Sequence, residues 1–133
     1  MALQLQVVSN NTMLICDYKL NLLLNKVLNH QKFLTEPKAA ALEIWKKHGE
    51  NLAANGALMR TAILGCLDYN DMDKVIKNTI EFCHVTHADT RCVASCIAIT
   101  SAIALILQGK HANPDDNTKV NTGAVLDESL QLA

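Results

Sequence analysis

Apolar residues recur at helical spacing along most of this chain, and the breaks between the runs are sharp. The first eleven residues alternate weakly at Leu3, Leu5 and Val7, turn polar at Ser9-Asn10-Asn11, and are read as coil. Residues 12–29 are Leu-rich, with Leu14, Ile15, Tyr18 and Leu22 spaced for one helix face that Asn21 and Asn25 interrupt. Thr35-Glu36-Pro37 reads as a helix start, with Thr35 as cap and Pro37 in the first turn, where a missing N–H costs nothing. That helix should run to about Lys47, bury Ala41, Ile44 and Trp45, and stop at Gly49. Trp45 is expected to be a plain core anchor.

After a small-residue loop, Ala57 to Leu67 reads as a helix with Met59 to Gly65 as its body. Asn55-Gly56 reads as a tight turn, since both residues tolerate positive φ. Asp68-Tyr69-Asn70-Asp71 is a turn, and Asp71 caps the clearest amphipathic helix, residues 72–84. Met72, Val75, Ile76, Thr79, Ile80 and Cys83 share its inner face. Asp89 is the expected cap of a helix over residues 90–108, apolar nearly all round from Cys92 to Leu107. That run is a little short for a membrane span and lacks an aromatic belt or positive flank. It is therefore read as a buried core helix, in which Thr100 and Ser101 bond back to their own backbone. Gly109 ends it. Residues 110–133 are polar and mixed, with little to bury, and read as a loosely ordered tail.

Composition agrees with helices. The chain has 133 residues, half of them hydrophobic, with few aromatics, 2 Pro and 5 Gly. This length suits one modest domain. Net charge is −1, from 12 basic and 13 acidic residues with no basic stripe, so no nucleic-acid or anionic-membrane partner is expected. Five cysteines lie in apolar helical segments, which points to free thiols in a reducing, cytoplasmic compartment. No basic n-region with an apolar core opens the chain.

Candidate chemistry is sparse. Cys83, His84, His87, Cys92 and Cys96 are zinc-compatible residue types, and Cys92 and Cys96 share a helix face. No CxxC pair or loop knuckle accompanies them, and cysteines among Ala, Val and Ile are ordinary small core residues. No cysteine has the exposed helix start and basic partner of a nucleophile. Asp68, Asp71 and Asp73 lack the spacing, the Gly and the terminal Glu of a calcium loop, and read as caps and solvated charges. Asp115-Asp116-Asn117-Thr118 is the densest acidic cluster near a Thr, and reads as a turn. Asn55 and Gly56, at a helix start, can offer backbone N–H groups to a phosphate or a sugar hydroxyl, or can form a plain corner.

Two segments together resemble a known family. Asn55-Gly56-Ala57-Leu58-Met59-Arg60-Thr61-Ala62 resembles the "NGAxMRTA" segment of the ADP-ribosylglycohydrolases. Thr86-His87-Ala88-Asp89-Thr90-Arg91-Cys92 is similar to their "THxDPRC" segment, with Thr90 in place of Pro. Phe33 through Trp45 resembles the lead-in. The resemblance spans about residues 27–109, after a variable segment 1–26 and before the tail 110–133. It implies an all-α fold, a partial helical bundle of a domain well over twice this length. It implies hydrolysis of the bond joining ADP-ribose to a protein side chain with paired magnesium ions. It implies that Asn55, Gly56, Ala57 and His87 line an ADP-ribose site.

The family's metal ligands come from a Thr-Asp-Asp-Thr run upstream and an Asp-x-Asp-Thr run far downstream. Residues 1–30 contain a single acid, Asp17, and the Asp115 cluster has Asn where a second Asp belongs. The expectation is a truncated, inactive member with no catalytic or metal-binding residue of its own, which binds no magnesium. ADP-ribose or an ADP-ribosylated protein is the expected partner. The alternative is a non-catalytic ADP-ribose-binding or helical interaction module that self-associates through residues 92–107.

Overall fold

The computed structural model describes residues 23–113 and 116–133, and of residues 116–118 only the backbone. The weak alternation of residues 1–11 and most of the 12–29 helix lie outside the described residues. The end of that helix is seen as α1, residues 23–28. Five further helices follow: α2 (Pro37–Lys47), α3 (Gly56–Thr61), α4 (Met72–His84), α5 (Thr90–Leu107) and α6 (Thr122–Leu132). A 3-10 turn, Ala62–Cys66, continues α3. A two-stranded antiparallel hairpin, β1 (Ala112–Asn113) and β2 (Asp116–Val120), precedes α6. The fold is all-α apart from this hairpin.

The apolar helix α5 is the axis. Helices α3, α4 and α6 and the 3-10 turn all pack against it. Its buried positions are Cys92, Cys96, Ile97, Thr100, Ser101, Ala104 and Leu105. By length and composition α5 is long enough to cross a membrane, contrary to the expectation that its apolar run falls short. Its neighbours instead cover it on several sides. Thr100 Oγ1 donates to Cys96 O at 2.9 Å and Ser101 Oγ to Ile97 O at 2.7 Å, as the sequence suggests. Thr79 Oγ1 of α4 donates to Thr100 Oγ1 at 2.9 Å, so both buried hydroxyls are satisfied.

Local signals fix the helix ends. Asp71 Oδ1 accepts from Lys74 N at 3.2 Å and Asp89 Oδ1 from Arg91 N at 3.0 Å. Gly49 and Gly109 adopt φ of 69° and 70° and close α2 and α5. The bonds Gly49 N to Lys46 O and Glu50 N to Trp45 O, and Gly109 N to Ile106 O and Lys110 N to Leu105 O, make each end a Schellman motif. Thr35 does not cap α2. The N-cap is Glu36, and the Thr35 hydroxyl donates to Lys32 O.

Two other expectations are corrected. The helix expected over Ala57–Leu67 changes pitch at Ala62, at the segment that crosses α5. Gly65 lies so close to α5 that an added Cβ would stand 2.5 Å from Thr100 O and 2.8 Å from Ile103 Cβ. The segment expected as a loose tail contains a hairpin and α6. Asn121 Oδ1 caps α6 by accepting from Ala124 N at 3.1 Å. Val125 and Ser129, one turn apart, are its buried contacts, and Glu128 pairs with His111 at 2.7 Å and with Lys110 at 3.3 Å. Capping and tertiary pairing order a stretch whose apolar residues form only a thin inner face.

Candidate functional site

The loop between α2 and α3 and the loop between α4 and α5 are far apart in sequence and adjacent in space. Asn51 Oδ1 accepts from Arg91 Nη2 at 3.1 Å. Cys92 Sγ donates to Ala54 O at 3.6 Å. Arg60 Nη2 donates to Thr86 Oγ1 at 2.5 Å. The two segments therefore hold one another through side chains, not only through the packing of their helices.

Asp89 is the hub of the first half of this network. Its carboxylate accepts from Arg91 N, from Arg91 Nε at 2.9 Å, from Arg91 Nη2 at 2.8 Å and from Trp45 Nε1 at 3.0 Å. The Asp89 side chain is 3% exposed and that of Arg91 60%, so the pair is anchored inside and open outside. The hydrogen bonds from the Arg91 side chain, helped by that from Trp45, hold the Asp89 carboxyl well below the usual carboxylate range. Trp45 is only half-buried and is a hydrogen-bonding tether as well as an apolar anchor.

Arg60 is the hub of the second half. Its Nη2 also donates to Phe82 O at 3.0 Å and Cys83 O at 3.2 Å, the last carbonyls of α4, and its guanidinium lies 4.6 Å from the centroid of the Phe82 ring. Thr86 Oγ1 lies 2.8 Å from His87 Nδ1. His87 is 2% exposed, and its Nε2 has no hydrogen-bond partner among the described residues. Burial, then the charge of Arg60, pushes the His87 imidazole down to about 4, so it is neutral near pH 7.

The expected site residues divide. Asn55 and Ala57 line a cavity of about 210 Å³ together with Ala54, Arg91, Cys92 and Ser95. Gly56 is buried at the first position of α3, and neither it nor His87 is among the cavity's lining residues. The Asn55-Gly56 step is not a positive-φ turn. Asn55 is helical at φ −63° and ψ −13°, and its side chain caps nothing. The sequence does not single out Asn51, Arg60, Thr86 or Arg91 as site residues. An Arg within an apolar run, and an Arg two residues after a capping Asp, were the available signals.

A family model described as ADP-ribosylglycohydrolase matches residues 19–132. The chain belongs to this family. The matched range takes in the hairpin and α6 as well as both loop segments. Neither a curated protein nor a solved structure matches the chain.

The described residues do not fit the metal pair that an ADP-ribosylglycohydrolase implies. Among the described residues no group of three or more His, Cys, Asp and Glu side chains could hold an ion. Several carboxylates are already engaged: Asp89 with Arg91, Asp71 with Lys74, Glu43 with Lys32, Glu81 with Lys38, and Glu128 with Lys110. Of the Asp115 cluster, the side chains lie outside the described residues. The zinc-compatible cysteines go into the core. Cys83, Cys92 and Cys96 are buried around Ala57 and are free thiols. Burial pushes the Cys92 thiol up to about 11, and the Cys83 thiol is raised by its own hydrogen bond with Cys96 and by burial.

Proposed function

We propose that these 133 residues form the ADP-ribose-recognising part of an ADP-ribosylglycohydrolase-type protein and do not hydrolyse the glycosidic bond by themselves. The single observation that carries the reading is the direct hydrogen bonding of the two family segments, through Asn51–Arg91 and Arg60–Thr86. A ligand site shared by two loops needs their mutual position fixed, and these bonds fix it.

Recognition would use Asn55, Gly56 and Ala57 at the start of α3, together with His87. The cavity at Asn55 and Ala57 is about 210 Å³. Pockets that enclose a whole drug-sized ligand run from roughly 300 to 1,000 Å³, so this one suits a single ribose or a base rather than all of ADP-ribose. Hydrolysis would need a water activated by metal ions, and the sequence has neither acidic run that the resemblance calls for. No catalytic step is therefore assigned to any residue here, and magnesium is not assigned to this chain. The four free cysteines among the described residues favour a reducing, cytoplasmic setting.

Titration calorimetry with ADP-ribose should show binding that His87→Ala weakens, and a de-ADP-ribosylation assay with magnesium should show no turnover. No heat from the unaltered chain would refute recognition; robust turnover would refute the lack of catalysis.

A second reading is favoured by the exposed apolar residues Ile99, Ile106 and Leu107 on α5. In it the chain is an interaction module that self-associates through this helix. Sedimentation should then show dimers that Ile99→Glu disperses; a monomer at high concentration would exclude it.

A further inference from the structure

We propose that Arg60, acting through Thr86, fixes His87 in the tautomer that carries its proton on Nε2, so that this nitrogen is a donor preset for a ligand oxygen. The ligand half of this proposal rests on the reading of His87 as an ADP-ribose contact; the tautomer half stands on geometry alone.

A guanidinium can only donate. At 2.5 Å from Arg60 Nη2, Thr86 Oγ1 must therefore accept, and its own proton needs a separate acceptor. Among the described residues the other polar atom against that hydroxyl is His87 Nδ1, at 2.8 Å. If the hydroxyl donates to Nδ1, both atoms of that contact are satisfied, and Nε2–H is the one polar group left unpaired. If Nδ1–H donates instead, two groups go unpaired, the buried Thr86 proton and the Nε2 lone pair, and Thr86 is itself 5% exposed. The first arrangement wins, and it places the remaining imidazole proton on Nε2.

Arg60 is well placed to impose this choice. The last carbonyls of α4 and the face of Phe82 hold its guanidinium, so it cannot swing away from Thr86 at no cost. Arg60 and Thr86 are positioning residues: neither lines the cavity at Asn55. The chemical consequence is specific. An Nε2–H has no lone pair in the ring plane, so His87 is neither a metal ligand nor a general base through that nitrogen. It suits an acceptor oxygen such as those of a phosphate or a ribose. Nε2 is buried and unpaired among the described residues, which is costly until an acceptor arrives. An oxygen that reaches it displaces the atoms now covering it.

Two-bond proton–nitrogen correlation spectra of the full chain, labelled with nitrogen-15, test this. In the unaltered protein His87 should be protonated on Nε2. Thr86→Ser should keep that tautomer, whereas Thr86→Val and Arg60→Gln should shift it toward Nδ1–H or a mixture. Adding ADP-ribose should move the Nε2–H resonances. Thr86→Val should bind ADP-ribose about tenfold more weakly, as for loss of one well-placed hydrogen bond, with Thr86→Ser near the original affinity. The unaltered spectrum decides the tautomer even if Thr86→Val does not fold. Nδ1–H in the unaltered protein, or a tautomer unchanged in a folded Thr86→Val, overturns the proposal. Calorimetric binding of ADP-ribose that leaves Nε2–H unmoved overturns its ligand half alone. An Nε2–H tautomer with no calorimetric binding overturns the function proposed above and leaves the tautomer assignment standing.

Discussion

Trp45 Nε1 donates to Asp89 Oδ2 at 3.0 Å across 44 positions of sequence, tying the last turn of α2 to the cap of α5. The same carboxylate caps α5 and pairs with Arg91. One buried side chain thus sets a helix start, a loop contact and the position of the only tryptophan.

Removing that carboxylate should be felt in all three places. Asp89→Ala loses a cap and leaves Trp45 Nε1 without its acceptor, which should cost roughly 2–3 kcal/mol. Urea melts followed by tryptophan fluorescence measure it, and a changed native emission should accompany the loss. Asp89→Asn keeps the capping oxygen and should cost less. The Asp89 carboxyl is depressed in the folded chain, so its contribution is present above its unfolded pKa of about 4 and is lost as pH falls through the lower folded value.

His87 gives a second, separable acid response. The folded imidazole titrates at about 4, below an unfolded value of 6.5. The unfolded chain binds the proton first, so stability is full above pH 6.5 and falls between there and pH 4. The loss should approach about 3 kcal/mol at the acid end. His87→Gln should flatten the stability profile in that window, measured by melts at stepped pH; an unchanged slope would contradict a buried neutral imidazole.

Gly65 should be intolerant of the smallest side chain. An alanine Cβ would meet a backbone oxygen, Thr100 O at 2.5 Å, which cannot rotate away as a side chain could. Gly65→Ala should destabilise by about 1–3 kcal/mol as the 3-10 turn is pushed off α5. Gly109→Ala is the contrast, because its added Cβ meets nothing within 4 Å and the strain is that of φ at 70°. About 1 kcal/mol is expected there. Thermal melts of the two variants should rank them in that order.

The Thr79–Thr100 hydroxyl pair should show coupling. Thr100→Val leaves the buried Thr79 hydroxyl without its acceptor and should cost about 1–3 kcal/mol. The double change Thr79→Val with Thr100→Val should cost less than the two singles summed, because no unpaired hydroxyl then remains. A double-mutant cycle by urea denaturation gives the coupling, and strict additivity would show that the pair is not satisfied as described.

Most of the helical frame was legible because it is written in local terms. The caps Asp71 and Asp89 and the stops Gly49 and Gly109 each act within one turn of chain. The inner face of α4 followed from spacing, and Val75, Thr79 and Cys83 on it are buried. Thr35 has the side chain of a cap, but Glu36, one residue later, is the residue that leaves the helix dihedrals. Helix α6 was missed because Leu126 and Leu130 are exposed while Val125 and Ser129 are buried, a pattern too thin to stand out without the partner helix.

The site was legible in part. Asn55 and Ala57 do line a cavity with their own neighbours Ala53, Ala54 and Leu58, but its opposite wall comes from Arg91, Cys92 and Ser95 on α5. The sequence by itself determined α4 and α5 with their caps, the end of α2 and the two family segments, since propensity, capping and periodicity are properties of neighbours in the chain. Only the tertiary structure decided that Arg60 reaches Thr86, that Asn51 meets Arg91 and that His87 lies buried with one nitrogen unpaired. Hydrogen-bond partners separated by 26 to 40 residues are chosen by how the helices pack, and no local pattern records that choice.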